Sequence, residues 1–169
     1  MKVVALDPGG TTGWACLDLD EDVIIARSKT FLRDHVTQGQ LGNNSEHHKL
    51  LWMLLTNMRP DVIVCERFKH YGNEFAKIMS REYIGIVKLY QELYGCELFQ
   101  PGSDKKEWAS DRKLRILLIL CVPFSRWKHA NDALRHLVYY IVFEGDRRVQ
   151  ACREYILDQL KELVYEGQE

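Results

Sequence analysis

The stretch KVVALDPGGTTGWACL, residues 2–17, decides how this chain is read. KVVALD is an apolar run of strand character that ends in a carboxylate, Asp7, and Pro8, Gly9 and Gly10 follow at once. Proline and two glycines do not extend a strand, so the chain turns there and TGWACLDL returns as a second strand. A strand end that joins an acid to a glycine-rich turn serves one of two chemistries. Its backbone N–H groups cradle a phosphate, or its carboxylate is aimed at a metal.

A second stretch repeats the pattern. DVIVCE, residues 61–66, is another apolar strand closed by an acid, Glu66. In both strands the acid shares side-chain parity with apolar residues two and four positions earlier: Val3 and Ala5 before Asp7, Val62 and Val64 before Glu66. Each acid therefore continues a partly buried face. If the strands are parallel neighbours, the two carboxylates lie side by side at the carboxyl edge of the sheet, where α/β folds place their ligands. Carboxylates that close repel unless a proton or a cation lies between them, and a hard dication such as Mg²⁺ or Mn²⁺ suits oxygen donors. Taken alone, either acid is also explained by capping its turn or by pairing with a nearby Lys or Arg.

The third piece is KHANDALRHLVYYIVF, residues 128–143. His129 and Asp132 share one face of a starting helix, and Ala133, Leu137, Tyr140 and Ile141 continue an apolar stripe beside Asp132, which turns that acid inward. His136, one turn beyond Asp132, reads as a neighbouring packing or DNA-contact residue. Three acids and a histidine can hold two cations ~4 Å apart, one activating a water and the other stabilising the leaving oxygen of a phosphodiester. Such a site cuts nucleic acid.

The remaining sequence frames these pieces. With 169 residues, 46% apolar and 28% charged, the chain fits one compact domain over 1–169. Five widely spaced cysteines, odd in number and without a CxxC pair, point to reduced thiols in an intracellular protein rather than to disulfides or zinc. There is no basic and apolar leader, and the most apolar window, ILLILCVPF (116–124), is too short for a membrane span and reads as a buried helix. Net charge is −1, yet residues 101–150 carry ten Lys or Arg against six acids, which reads either as a local basic surface or as solvated helix faces. Further strands are expected at VIIARSKTF (23–31) and CELFQP (96–101), and helices from about 44 to 59, 74–94, about 103–120, 129–143 and 146–164. That order implies an α/β fold, a five-stranded mixed sheet flanked by helices.

Asp7 in a DPG turn followed by TG and an aromatic, Glu66 with Phe68 just after it, and HxxD at His129 and Asp132 together resemble the RuvC family of Holliday junction resolvases, within the ribonuclease H-like fold. The resemblance in element order spans nearly the whole chain. It implies a structure-selective endonuclease, a homodimer with two active sites that each nick one strand of a four-way junction, using two Mg²⁺ or Mn²⁺ ions held by Asp7, Glu66, His129 and Asp132. It also implies a cytoplasmic protein with no membrane partner. Phe68 resembles an aromatic that stacks on unpaired bases, and Arg67, Lys69, His70 and Tyr71 in the same loop, with Lys105 and Lys106, supply further DNA contacts. The DPGGTTG turn is a residue shorter than the bacterial form, and the segment after the fifth strand is only PGSDKKEW, which fits a phage-like member that also cuts forks and flaps. The turn DPGGTT resembles, alternatively, the phosphate-binding turn of the sugar-kinase, actin and heat-shock-protein-70 superfamily, which would make the chain a nucleotide-binding phosphotransferase; a further alternative is a catalytically idle DNA-binding relative.

Overall fold

A computed structural model describes residues 1–19, 32, 35–42, 46–67, 74–117 and 128–166, with the side chains of 74–77 and 162–166 left aside. Five strands form one mixed sheet in the order β3-β2-β1-β4-β5. β1 (Lys2–Asp7) lies at its centre, antiparallel to β2 (Thr12–Asp18) on one side and parallel to β4 (Val62–Cys65) on the other. β3 (Val36–Leu41) adds an antiparallel edge to β2, and β5 (Glu97–Phe99) a parallel edge to β4.

Side-chain alternation along β1 divides the core into two layers. Val4 and Leu6 point to one face, where α1 (His47–Met58) and α2 (Glu74–Tyr94) bury Leu51, Leu55, Met79, Tyr83, Val87 and Tyr90 against them. Val3 and Ala5 point to the other face, which is covered by α3 (Asp111–Ile116), α4 (Lys128–Tyr139) and α5 (Gln150–Glu166) through Leu114, Leu134, Leu137 and Ile156. Asp7 has the parity of Val3 and Ala5, so its carboxylate belongs to the α4 layer.

The structure departs from the sequence-based expectations at several places. The strand expected over 23–31 lies outside the described residues, and β3 is VTQGQL, a polar segment that shows no apolar alternation. It pairs because it is an edge strand, and Gly39 leaves room for Trp14 on β2; a Cβ there would lie 2.7 Å from the indole. The helix expected over 103–120 is two pieces, a 3₁₀ turn at Lys105–Trp108 and α3, which restarts where the Ser110 side chain accepts from the Lys113 N–H. The end of that segment, like most of the apolar window at 116–124, lies outside the described residues. The helix over 129–143 begins at Lys128 and loosens into a π turn at Tyr140–Glu144. The last helix is preceded by a 3₁₀ turn, Arg147–Val149, capped by Asp146. Among the described residues, no helix is long and apolar enough to cross a membrane.

Candidate active site

The parallel register pairs Leu6 with Cys65, so Asp7 and Glu66 follow one another at the carboxyl ends of neighbouring strands. The Glu66 N–H donates to the Leu6 carbonyl, 3.2 Å, extending the ladder by one bond and fixing where that acid leaves the sheet. α4 crosses above with its first turn over β2. Its start is set by Gln40 of β3, whose side-chain oxygen accepts from the His129 N–H at 3.0 Å. Close approach depends on Gly13, which pairs with Asp7 across β1 and β2. A Cβ at Gly13 would sit 1.9 Å from the His129 carbonyl oxygen and 2.0 Å from its carbon, backbone atoms that cannot rotate away. Gly13→Ala is therefore expected to push the start of α4 off the sheet and to cost at least about 3 kcal/mol, beyond ordinary overpacking. Urea unfolding checks this; a loss under about 1 kcal/mol would mean that α4 does not need the contact.

These constraints bring the four expected residues together. The Lys106 ammonium lies 3.3 Å from Asp7 Oδ1, 3.0 Å from Glu66 Oε2 and 3.3 Å from Asp132 Oδ2. His129 Nδ1 is 2.8 Å from Asp7 Oδ2. Asp7 and Asp132 are buried, and Glu66 is largely so. Arg135 donates to Asp132 and also to Asp111 at the start of α3, which orients the third carboxylate.

His136 is completely buried, with Nε2 2.7 Å from Glu66 Oε2, so it is no DNA-contact residue on the surface. Because an ionised carboxylate only accepts, Nε2 carries the proton and donates. The other ring nitrogen, Nδ1, is buried without a hydrogen-bond partner among the described residues. His136 Nε2 thus holds Glu66 in place, and donor atoms of Asp7, Glu66 and His136 fall within 4.8 Å of one another, a grouping that could also hold a metal ion.

Lys106 was expected on the DNA surface and stands among the acids instead. The 3₁₀ turn that follows β5 carries it back over the carboxyl edge of the sheet. Burial alone would favour its neutral amine, but the charges of Asp7, Glu66 and Asp132 outweigh that and raise its pKa. Burial likewise pushes Glu66 up, and the His136 hydrogen bond with the Lys106 charge reverses it, holding the carboxyl at about 2. The hydrogen bond to Asp7 raises the pKa of His129 despite burial.

A depressed Glu66 pKa contributes stability above its ordinary value of 4.5, and that contribution is lost as pH falls from about 4.5 to about 2. The raised His129 pKa acts oppositely: its contribution is complete below 6.5 and lost as pH climbs through the folded value. Metal-free protein is thus expected to lose stability through the acid window, and Glu66→Gln to flatten that part of the profile. Circular dichroism against pH checks it, and an identical acid slope in the variant would remove the Lys106–Glu66–His136 account.

Of the other residues expected to meet DNA, Arg67 is exposed and its N–H is tied to the Pro101 carbonyl at 2.7 Å. Lys105 is exposed beside Asp104. Phe68, Lys69, His70 and Tyr71 lie outside the described residues. Gln40, His136 and Arg135 were not anticipated as supports of the site.

No family model matches the sequence, and no curated protein matches it. Solved structures do. Thermus thermophilus RuvC in complex with a Holliday junction substrate matches with a TM-score of 0.56 and 16% identity, covering 83% of this chain and 94% of that one. A second Thermus thermophilus RuvC structure gives 0.57 and 18%, with 83% and 95% covered. The Fowlpox virus resolvase, in complex with substrate Holliday junction DNA, gives 0.55 and 13%, with 86% and 100% covered. The chain therefore has the ribonuclease H-like α/β fold in the form shared by RuvC and the Fowlpox virus resolvase.

Proposed function

We propose that the chain is a divalent-metal-dependent endonuclease that resolves Holliday junctions, and also cuts forks and flaps, by paired nicking. The observation that supports it most is the gathering of three carboxylates from β1, the end of β4 and α4 around one positive charge. Lys106 is a stand-in: its ammonium neutralises an oxygen-rich cluster that suits a hard dication. Asp7, Glu66, Asp132 and His129 would hold Mg²⁺ or Mn²⁺ there. When bound, a pair of such ions supplies an activated water and charge stabilisation for the leaving oxygen of a phosphodiester.

The chain's own residues have separate tasks in this reading. His136 keeps the Glu66 carboxylate oriented and ionised, and Arg135 does the same for Asp132. Lys106, once displaced from the centre of the acids, offers its charge to the phosphate under attack. Arg67 and Lys105 serve as phosphate contacts in this reading, and Phe68, Lys69, His70 and Tyr71, next in sequence after Glu66 and Arg67, supply aromatics for unpaired bases and further cations.

Two active sites cutting opposite strands require a homodimer. The outer side of α2 suits one: Ile78, Leu89 and Leu93 are about half exposed or more, and exposed Gly85 has no atom within 4 Å of its missing Cβ. Apolar side chains around a bare backbone allow two helices to approach closely. Leu89→Glu is expected to turn a dimer into a monomer in sedimentation without loss of helical signal; an unchanged sedimentation coefficient would move the interface elsewhere.

Cleavage of four-way junctions, forks, flaps and plain duplex, each with Mg²⁺, with Mn²⁺ and with EDTA, tests the function. Metal-dependent cutting of branched DNA, with duplex left whole, is expected. Equal cutting of duplex, or stabilisation by ATP and no cutting, would overturn it.

A further inference from the structure

On the face of the sheet opposite the carboxylates, the first turn of α1 meets the middle of α2. His47 and His48 open α1, and Glu82 lies on α2. One donor atom from each of the three falls within 4.8 Å of the other two. His48 Nε2 is 2.9 Å from Glu82 Oε2, and the centroids of the two imidazoles are 4.2 Å apart. Both rings rest against Tyr83, at 5.3 and 5.7 Å, and Tyr83 is fully buried, so they have a fixed platform. The His48 and Glu82 side chains are 43% and 44% exposed, which leaves the donors open to ions from solvent.

We propose that His47, His48 and Glu82 bind a divalent cation of the zinc class (Zn²⁺, Co²⁺ or Ni²⁺), at a site separate from the nuclease carboxylates and not served by Mg²⁺. An exposed His–Glu ion pair contributes only roughly 0–1 kcal/mol, and the His47 imidazole brings a third donor to the same spot. Two imidazoles and one carboxylate, with remaining positions for water, form a donor set that borderline cations favour and hard ones do not. The position also has a cost. The positive end of the α1 dipole opposes a cation, and Glu46 at the N-cap, paired with Lys49 at 3.7 Å, offsets only part of it. Glu82, reaching across from α2, adds the carboxylate that lies within reach of both imidazoles. A bound ion therefore joins α1 to α2 through residues far apart in sequence and stabilises the layer they form against β1 and β4.

Calorimetric titration of the full chain with Zn²⁺, and visible absorption with Co²⁺, test the site, both with the carboxylate cluster disabled by Asp7→Asn/Glu66→Gln, since that cluster with His129 would also take these ions in place of Mg²⁺. A single equivalent bound in the micromolar range is expected, with ligand-field bands for Co²⁺ and a higher Tm with Zn²⁺. In that background His48→Gln and Glu82→Gln should each weaken binding by about tenfold or more and abolish the Tm rise, while circular dichroism stays unchanged. Asp7→Asn/Glu66→Gln should leave this equivalent in place. Binding that persists when His48→Gln or Glu82→Gln is added to the Asp7→Asn/Glu66→Gln chain, that is absent from that chain itself, or that needs millimolar Zn²⁺ would overturn the proposal. Should the Asp7→Asn/Glu66→Gln chain fail to fold, the number of Zn²⁺ equivalents decides alone: wild type is expected to bind one more than His48→Gln or Glu82→Gln, and equal numbers would overturn the proposal.

Discussion

Glu66→Gln is expected to slow strand cleavage at a four-way junction by at least ~10³-fold, while the Kd for the same junction changes by less than about threefold. A cation site worth several kcal/mol of charge stabilisation loses one of its three carboxylates, and each ~1.4 kcal/mol is tenfold in rate. The amide keeps the size and the His136 acceptor position of the acid, so packing is retained. On the proposed reading affinity would come from a different set of groups: phosphate contacts from Arg67, Lys105 and residues 69–71. Single-turnover cleavage and fluorescence anisotropy on one labelled junction measure the two quantities. Parallel loss of cutting and binding would mean that Glu66 supports the DNA surface and not the chemistry.

Lys106→Met is expected to produce the largest stability change among the charged residues of the site. Without the ammonium, three carboxylates within about 3 Å of a common centre repel, and none has a second cation so central. Removing one member of a buried charge cluster costs ~3–5 kcal/mol; Lys106 is 22% exposed, so about 2 kcal/mol is expected, or roughly 4–8 °C in Tm. Mg²⁺ should then restore Tm in Lys106→Met by much more than it raises Tm in wild type, because the ion no longer competes with an internal cation. Cleavage should still fall, since the charge offered to the phosphate is gone. An unchanged Tm in EDTA, or equal Mg²⁺ effects on both proteins, would show that Lys106 and the metal do not share a site.

The parts of this arrangement that follow from local chemistry were legible in the chain. Alternation in KVVALD and DVIVCE places Asp7 and Glu66 on one face, and the stripe after Asp132 turns that acid inward. Glycine after the DPG turn was legible as a motif, but its reason is tertiary: Gly13 is small because α4 presses its backbone there. β3 was missed because VTQGQL draws its structure from pairing with β2 and carries no apolar period of its own. Gln40 was missed with it. Lys106 reads as a surface candidate, since charge and spacing alone do not reveal what covers it, whereas His136 reads as either packing or DNA contact and is a buried packing residue. One signal was available for Lys106: PGSDKKEW follows a strand that must end at the same sheet edge as Glu66, so a lysine there had short reach to the acids.

The most direct test of the cluster as a cation site is Mn²⁺ binding followed by electron paramagnetic resonance, in wild type and in Asp7→Asn and Asp132→Asn variants. The account predicts Mn²⁺ bound in wild type, displaced by Mg²⁺, and weakened by about tenfold or more in each variant. Mn²⁺ binding of equal strength in all three proteins, or none in wild type, would contradict it.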